Sequence, residues 1–252
     1  MNTTYAHATF ANTTKTALTA AALVAGSAGL TGCINFDTGF DGETLADLDK
    51  GGSAPTEIAL AGPDDLVVKT GKKFKIKVSG DEEAVEQLRF KRDGDTLTVG
   101  REDGSNWDDG TATVTVTMPA PSDISMFGSG TITAEEMAKD ADISMAGSGE
   151  INVTQIDVDT LEVSSAGSGS IKAAGKATKL DVSMVGSGDA QLKKLKADEV
   201  DVSIAGSGGV RVASDGKVDA SIMGSGSVVV TGDAECTSST VGSGTLTCKS
   251  AK

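Results

Sequence analysis

The chain has 252 residues and carries a formal net charge of −14 at pH 7. This length suffices for one large domain with its own core, whereas the negative charge disfavours binding to nucleic acid and to anionic lipid headgroups. Aromatic residues make up only 3% of the sequence, which leaves few rings for stacking on sugars or bases. The only histidine is His7, near the amino terminus. We therefore expect no catalytic residues, no metal site, no cofactor and no nucleic-acid partner.

Residues 1–32 are predicted to be a lipoprotein signal peptide. The apolar stretch 16–30 is too short to span a bilayer and is typical of an export signal. It ends in Leu30-Thr31-Gly32-Cys33, which resembles the lipobox of bacterial lipoproteins. Cleavage before Cys33 and acylation of its thiol, for example with palmitate, are therefore expected; an ordinary secretory signal is the alternative. Because Ile34 and not Asp follows the cysteine, we expect sorting to the outer membrane in a Gram-negative bacterium.

Residues 33–55 are predicted to form the lipidated cysteine and a flexible acidic tether. The segment contains several aspartates among glycines and small residues, and it ends at Pro55. Low apolar content and like charge favour an extended, mobile spacer. Leu45 and Leu48 are three residues apart, which also allows one helical turn.

Residues 56–121 show short β-like runs without a regular repeat. The pattern predicts strands around 58–60, 66–68 and 74–78, and a short helix over 81–88. Asp93-Gly94 between two such runs predicts a hairpin. The alternating segment 111–118 predicts one further strand, and we expect the whole region to form irregular amino-terminal coils of the same domain.

Residues 122–252 are organised by seven copies of Gly-Ser-Gly. The copies begin at Gly128, Gly147, Gly167, Gly186, Gly206, Gly224 and Gly242. Steps of 18 to 20 residues indicate a stacked repeat in which each unit rests on its neighbours. Glycine suits such a corner because it accepts positive φ and lets identical bends stack closely.

Apolar and polar residues alternate on both sides of each corner. Four residues before the first glycine, the column reads Ile124, Ile143, Val163, Val182, Val202, Ala220 and Ser238. Three residues before it, the position is serine in every unit. Four residues after it, the column reads Ile132, Ile151, Ile171, Ala190, Val210, Val228 and Leu246. Period two with one apolar face predicts half-buried strands.

These columns predict an all-β fold, a single-stranded parallel β-helix or β-solenoid with coils of 18–20 residues, spanning residues 56–252. The connections should be right-handed. Burial of four or five aliphatic side chains per coil contributes on the order of 10 kcal/mol, most of it offset by chain ordering. An α-helical repeat would need a three-to-four-residue period and few glycines.

The repeated Leu180-Asp181-Val182-Ser183-Met184-Val185-Gly186-Ser187-Gly188 pattern and the Asp93-Gly94-Asp95-Thr96-Leu97-Thr98-Val99 segment resemble the head GIN domain family of putative auto-transporter adhesins. The resemblance extends from Glu57 to about Thr247. It implies a parallel β-helix on an exported bacterial protein that is often lipid-anchored, and it implies no ligand and no catalytic residues.

Cys236 and Cys248 lie six residues before and six after Gly242, both at inward positions. If Cys33 carries lipid, these two remain as an even pair in an oxidising compartment. We therefore predict a disulfide that closes the carboxy-terminal end of the solenoid, where open coils need a cap.

One acidic residue per coil is predicted to line an outer edge, five residues before each corner. The candidate cation-binding positions are Asp142, Glu162, Asp181, Asp201 and Asp219. Closely spaced like charges attract divalent cations; a solvated face that prevents sheet-to-sheet association is the alternative, and the one we favour.

Two further features are candidates for partner contact. Trp107 lies in a polar loop and would either contact a ligand or cover the end of the core. Lys69, Lys72, Lys73, Lys75 and Lys77 form a basic patch, interpreted as a solvated strand face first and as a site for an acidic partner second.

The sequence as a whole predicts a non-enzymatic cell-envelope lipoprotein, an adhesin or a structural β-solenoid with a binding face. Its partners would be the membrane, through the amino-terminal lipid, and a surface glycan or protein. A calcium- or glycan-binding module is the first alternative. An enzyme acting on polysaccharide is the second.

Overall fold

The computed structural model describes residues 40–102, 104–105 and 110–250. These residues form sixteen β-strands and one short helix. In chain order they are β1 (Glu57–Gly62), β2 (Asp65–Thr70), β3 (Lys75–Gly80), α1 (Glu82–Gln87), β4 (Leu88–Asp93), β5 (Thr96–Arg101), β6 (Ala112–Met118), β7 (Asp123–Gly128), β8 (Thr131–Glu136), β9 (Asp140–Gly147), β10 (Glu150–Gly167), β11 (Ser170–Gly186), β12 (Asp189–Gly206), β13 (Gly209–Gly224), β14 (Ser227–Thr231), β15 (Glu235–Gly242) and β16 (Thr245–Lys249). The all-β prediction is confirmed.

Successive coils stack in parallel register, which confirms the β-solenoid prediction. Strands β10 to β13 each follow one corner and lead into the next, and each pairs in parallel with the strand one coil away. Val182 pairs with Val163 on one side and with Val202 on the other. All three valines are buried, and each has at most 2% of its surface exposed. The inward columns are therefore continuous along the fold axis.

We name two walls by their place in the coil. The first wall consists of the five-residue segments before each corner, such as 181–185, and the second wall consists of the segments after it, such as 189–192. The buried side chains of both walls join one hydrophobic core. Because side chains alternate along each strand, the opposite side of both walls faces solvent.

The Gly-Ser-Gly corners require glycine because the coils approach each other there through their backbones. The first glycine of each corner has φ between 117° at Gly186 and 138° at Gly147, a region that other residues avoid. A Cβ atom added to Gly186 would overlap the carbonyl oxygen of Gly167. The amide of Ser187 donates a hydrogen bond to this same oxygen over 2.9 Å.

The amino-terminal region confirms the predicted helix and hairpin, and it contains two antiparallel pairs that interrupt the parallel pattern. Strands β4 and β5 form the hairpin around Gly94, and β3 pairs antiparallel with β6. A buried ion pair stabilises the region: the guanidinium of Arg101 donates to both carboxylate oxygens of Asp64, over 2.7 and 2.9 Å. Asp64 also accepts from the amide of Ala112, so the pair joins β5, the β1–β2 loop and β6.

The segment 40–50 differs from the mobile spacer expected over residues 33–55. Glu43 and Phe90 exchange two backbone hydrogen bonds of 2.7 Å each, which attaches the segment to the free edge of β4. The helical turn that the spacing of Leu45 and Leu48 allows is formed, with the Leu48 amide bonded to the carbonyl of Thr44. Leu48 is 4% exposed. Burial of this leucine and pairing with β4 explain why the segment is held; residues 33–39 lie outside the described part.

The carboxy-terminal coil is more polar than the coils it stacks on. Ser238 and Thr240 occupy the inward columns above Ala220 and Ile222. Cys236 and Cys248 form the predicted disulfide. Among the described strands, nothing pairs with the outer edges of β15 and β16, so these inward positions are only partly covered.

Substitution of a corner glycine should destabilise the solenoid. We expect Gly186→Ala to lower the free energy of unfolding by about 2–3 kcal/mol, because the added methyl group forces a strained φ or separates two coils. Ser187→Ala, at the exposed centre of the same corner, should stay within about 0.5 kcal/mol of the unchanged protein. Urea unfolding of both variants measures the difference, and equal stabilities would contradict the role assigned to Gly186.

Candidate functional site

The solvent side of the first wall carries three parallel rows of side chains. The in-register pairing aligns an acidic row, a serine row and an apolar row, five, three and one residues before each corner. The serine row comprises Ser125, Ser144, Ser164, Ser183, Ser203, Ser221 and Ser239. The serine and apolar rows therefore recur at every corner, and the acidic row recurs at every corner but the last, where Thr237 takes the place of the acid.

The apolar row is the feature that the sequence analysis missed. Its large members are exposed: Phe127 by 50%, Val185 by 62%, Met223 by 64% and Val241 by 67%. Val185, Met223 and Val241 line a shallow hollow of about 400 Å³ together with serines of the adjacent row. Strict continuation of the period-two pattern up to the corner would have placed these residues outward. Apolar side chains grouped on a surface are typical of an interaction site.

The acidic row forms a continuous ladder and extends two strands further toward the amino terminus. Asp142, Glu162, Asp181, Asp201 and Asp219 are paired in register, and the row continues through Asp123 to Glu57. Burial raises the pKa of Asp123, the hydrogen bond from Ser125 opposes this shift, and the carboxylates of Asp142 and Glu57 raise it further. Burial, followed by the charges of Asp142 and Asp181, also raises the pKa of Glu162.

In the carboxy-terminal half of the acidic row, lysines partly neutralise the negative charges. Lys179 lies 3.2 Å from Asp181 and 3.9 Å from Asp201, and Lys217 lies 2.9 Å from Asp219. Within the described residues, no group of three or more His, Cys, Asp or Glu side chains is arranged to hold a metal ion. Cation binding by the acidic row therefore stays a prediction, and the structure favours the alternative of a charged, solvated edge.

The basic patch lies on the second wall, at the amino-terminal end of the fold. All five lysines are exposed. Lys72, Lys73, Lys75 and Lys77 line a hollow of about 390 Å³ with Thr115 and Thr117 of β6. We call this surface the lysine face. The threonines are brought there by the antiparallel β3–β6 pair, which the sequence pattern did not reveal.

Two predicted site residues lie outside the described part of the chain: the lipidation candidate Cys33 and the ligand-contact candidate Trp107. The described part contains no histidine. The acids of the ladder are spread over successive coils, and the buried acid, Asp64, is bonded to Arg101. In the same residues, no helix has the length and apolar character to cross a bilayer.

Solved structures share this architecture. A putative adhesin from Bacteroides fragilis NCTC 9343 gives a TM-score of 0.70 at 22% identity, with 79% of this chain and 93% of that one covered. A putative lipid binding protein from Parabacteroides distasonis ATCC 8503 gives a TM-score of 0.60 at 24% identity, with 78% of this chain and 93% of that one covered. A putative adhesin from Parabacteroides merdae ATCC 43184 gives a TM-score of 0.56 at 18% identity, with 78% of this chain and 92% of that one covered. These likenesses concern the fold, and no curated protein matches the chain.

The stacked coils and their repeated outer rows define a β-solenoid with extended flat walls. The family described as "Putative auto-transporter adhesin, head GIN domain" matches residues 54–234. The chain belongs to this family, which confirms the resemblance identified from the repeated corner motif.

Removal of one charge from the crowded end of the acidic row should stabilise the fold at neutral pH. Because the pKa of Asp123 in the folded protein lies above its ordinary value of 3.8, the folded state binds the proton more tightly than the unfolded state. Stability is therefore lost as the pH rises through the folded-state pKa. We expect Asp123→Asn to raise the free energy of unfolding at neutral pH by about 0.5 kcal/mol after solvent screening.

Urea unfolding near neutral pH and at about pH 3 tests this expectation, since the gain should vanish where the carboxyl is protonated in both states. Asp140→Asn is the matched control, because Asp140 is exposed and faces Thr160 in place of another acid. An equal gain in the control, or a gain that persists in acid, would contradict the buried and crowded charge of Asp123 as the cause.

Proposed function

We propose that the protein is a non-enzymatic adhesin of the bacterial cell envelope, anchored by lipid on Cys33 and binding a protein partner through its first wall. The observation that carries this proposal is the apolar row, in which Phe127, Val185, Met223 and Val241 are each at least half exposed. Leaving such side chains in water has no benefit for folding, whereas covering them provides the driving force for association.

The composition of the first wall favours a protein partner over a glycan. The described wall has one aromatic residue in its outward apolar row, Phe127, so it lacks the stacked rings that commonly contact sugars. Apolar side chains beside hydroxyl groups resemble the mixed surface of protein interfaces. A rigid wall also binds without the cost of ordering loops.

Family membership supports an exported, adhesive role. The family carries the description of an auto-transporter adhesin, and two of the similar solved structures are named as putative adhesins from Bacteroides and Parabacteroides. The lipobox-like Leu30-Thr31-Gly32-Cys33 sequence supplies the anchor, and Ile34 supports outer-membrane sorting.

A charged substitution in the apolar row should abolish adhesion without affecting the fold. Cells that display Val185→Arg with Met223→Arg should lose at least about tenfold in attachment to a surface coated with extracellular-matrix proteins, because the interface can no longer be desolvated. Attachment after washing is counted against cells displaying the unchanged chain.

Gln191→Arg with Val229→Arg is the matched control, since both positions point outward on the second wall. Full attachment by this control, with loss in the first-wall variant, would support the proposed surface. Equal attachment by both variants would show that adhesion does not involve the first wall. If cells lacking the protein attached as well as cells displaying it, the proposed adhesin function would be contradicted.

Replacement of Cys33 tests the anchor independently of adhesion. The full chain should incorporate a labelled fatty acid, and Cys33→Ala should incorporate none, because a thioether-linked lipid can no longer be added. Mass spectrometry of the amino-terminal peptide checks for the acylated cysteine. An unmodified cysteine in membrane-associated protein would contradict lipid anchoring.

The alternatives have less support. A cation-binding module would need ligands that converge, and the described acids form a row in which lysines already pair with several members. The glycan alternative depends on Trp107, outside the described residues. A polysaccharide-active enzyme would need a distinguishable pair of carboxylates, which the acidic row does not provide.

A further inference from the structure

The lysine face is an exception to the charge pattern of the molecule. Residues 66–80 contain five lysines and no acidic residue, in a chain with a net charge of −14. None of these lysines forms an ion pair with a described residue. In the regular coils, by contrast, several basic side chains pair with an acid from the adjacent coil, such as Lys172 with Glu150 at 2.6 Å and Lys196 with Asp215 at 2.6 Å.

The local structure places these lysines around a concave surface. In register, Thr117 of β6 lies between Lys69 of β2 and Lys75 of β3. Two residues further along β3, Lys77 pairs with Thr115 of β6. The hollow of about 390 Å³ between them is lined by the side chains of four lysines and two threonines. Ammonium groups bind phosphate as point charges, and the hydroxyls add hydrogen-bond donors.

The lysine face lies beside the segment that leads in from the predicted anchor. The guanidinium of Arg92 donates to the carbonyl oxygens of Gly51 and Ser53, and it lies 5.8 Å from the ring centre of Phe74. Phe74 stands between Lys73 and Lys75 in the chain. The described residues 51–53 therefore lie at the same end of the fold as the lysine face.

We propose that the lysine face docks on the anionic phospholipid headgroups of the membrane to which the protein is anchored. The net negative charge does not prevent this, because the acidic row lies on the other wall and charges farther away than about 8–10 Å are screened at physiological salt. The nearby Glu135 accepts a hydrogen bond from the amide of Thr70 and does not line the hollow. The lysine face would fix the orientation of the solenoid, leaving the first wall available to a partner. This inference rests on the proposed envelope location.

Vesicle binding of the predicted mature chain, residues 33–252, tests the proposal, with Cys33→Ser in every sample so that neither acylation nor the apolar stretch 16–30 plays a part. We expect co-sedimentation with vesicles of phosphatidylcholine containing about 30% phosphatidylglycerol to exceed that with phosphatidylcholine alone. Lys75→Gln with Lys77→Gln should weaken binding to the anionic vesicles about 20- to 30-fold, since each lysine near a charged surface contributes roughly fivefold. Added salt should also weaken the binding of the chain to anionic vesicles.

Lys193→Gln with Lys194→Gln is the matched control, since it removes the same charge from exposed lysines in the regular coils. Binding by the control within about twofold of the parent, with loss in the Lys75 and Lys77 variant, supports the proposal. Equal losses in both variants, or equal binding to neutral and anionic vesicles, would overturn it. Retention on an anionic polysaccharide column without vesicle binding would also overturn it. Because every sample lacks Cys33, none of these outcomes depends on the anchor.

Discussion

The structure depends on in-register stacking of equivalent residues from one coil to the next. Each position has its own counterpart as its nearest neighbour on both sides, as Val182 has Val163 and Val202. Favourable contacts between like side chains are therefore repeated along the axis, and so are unfavourable ones. Aliphatic columns gain from this rule through continuous burial, and the glycine corners tolerate it because they have no side chain to crowd.

The same rule explains the surface. An outward serine or apolar residue becomes a row, which produces the flat first wall, and an outward acid becomes a ladder of like charges. Desolvation and neighbouring carboxylates raise the pKa of Asp123 and Glu162 as a result. Lys179 and Lys217 offset the repulsion where the ladder is most regular. The lysine face stands where this regularity ends, at the strands that are not part of the repeat.

Much of the architecture could be predicted because the repeat determines both secondary structure and neighbours. Knowing that Val163 and Val182 occupy equivalent positions is enough to place them in contact, and the Cys236–Cys248 pair follows from the same alignment. The irregular amino-terminal region lacks this information: alternation in β3 indicates a strand but not its direction, so the contact of Lys75 and Lys77 with β6 was not foreseen. Leu48 was assigned to a tether because two leucines among polar residues do not reveal which of them is buried.

The polar carboxy-terminal coil has a consequence for solubility. A parallel β-solenoid whose last winding ended in aliphatic columns would offer a template onto which further β-strands could add, as in fibril growth. With Ser238 and Thr240 at the inward positions and the cross-link between Cys236 and Cys248, an added strand would have to desolvate hydroxyl groups for little apolar gain. The carboxy-terminal coil thus discourages the molecule from elongating into polymers.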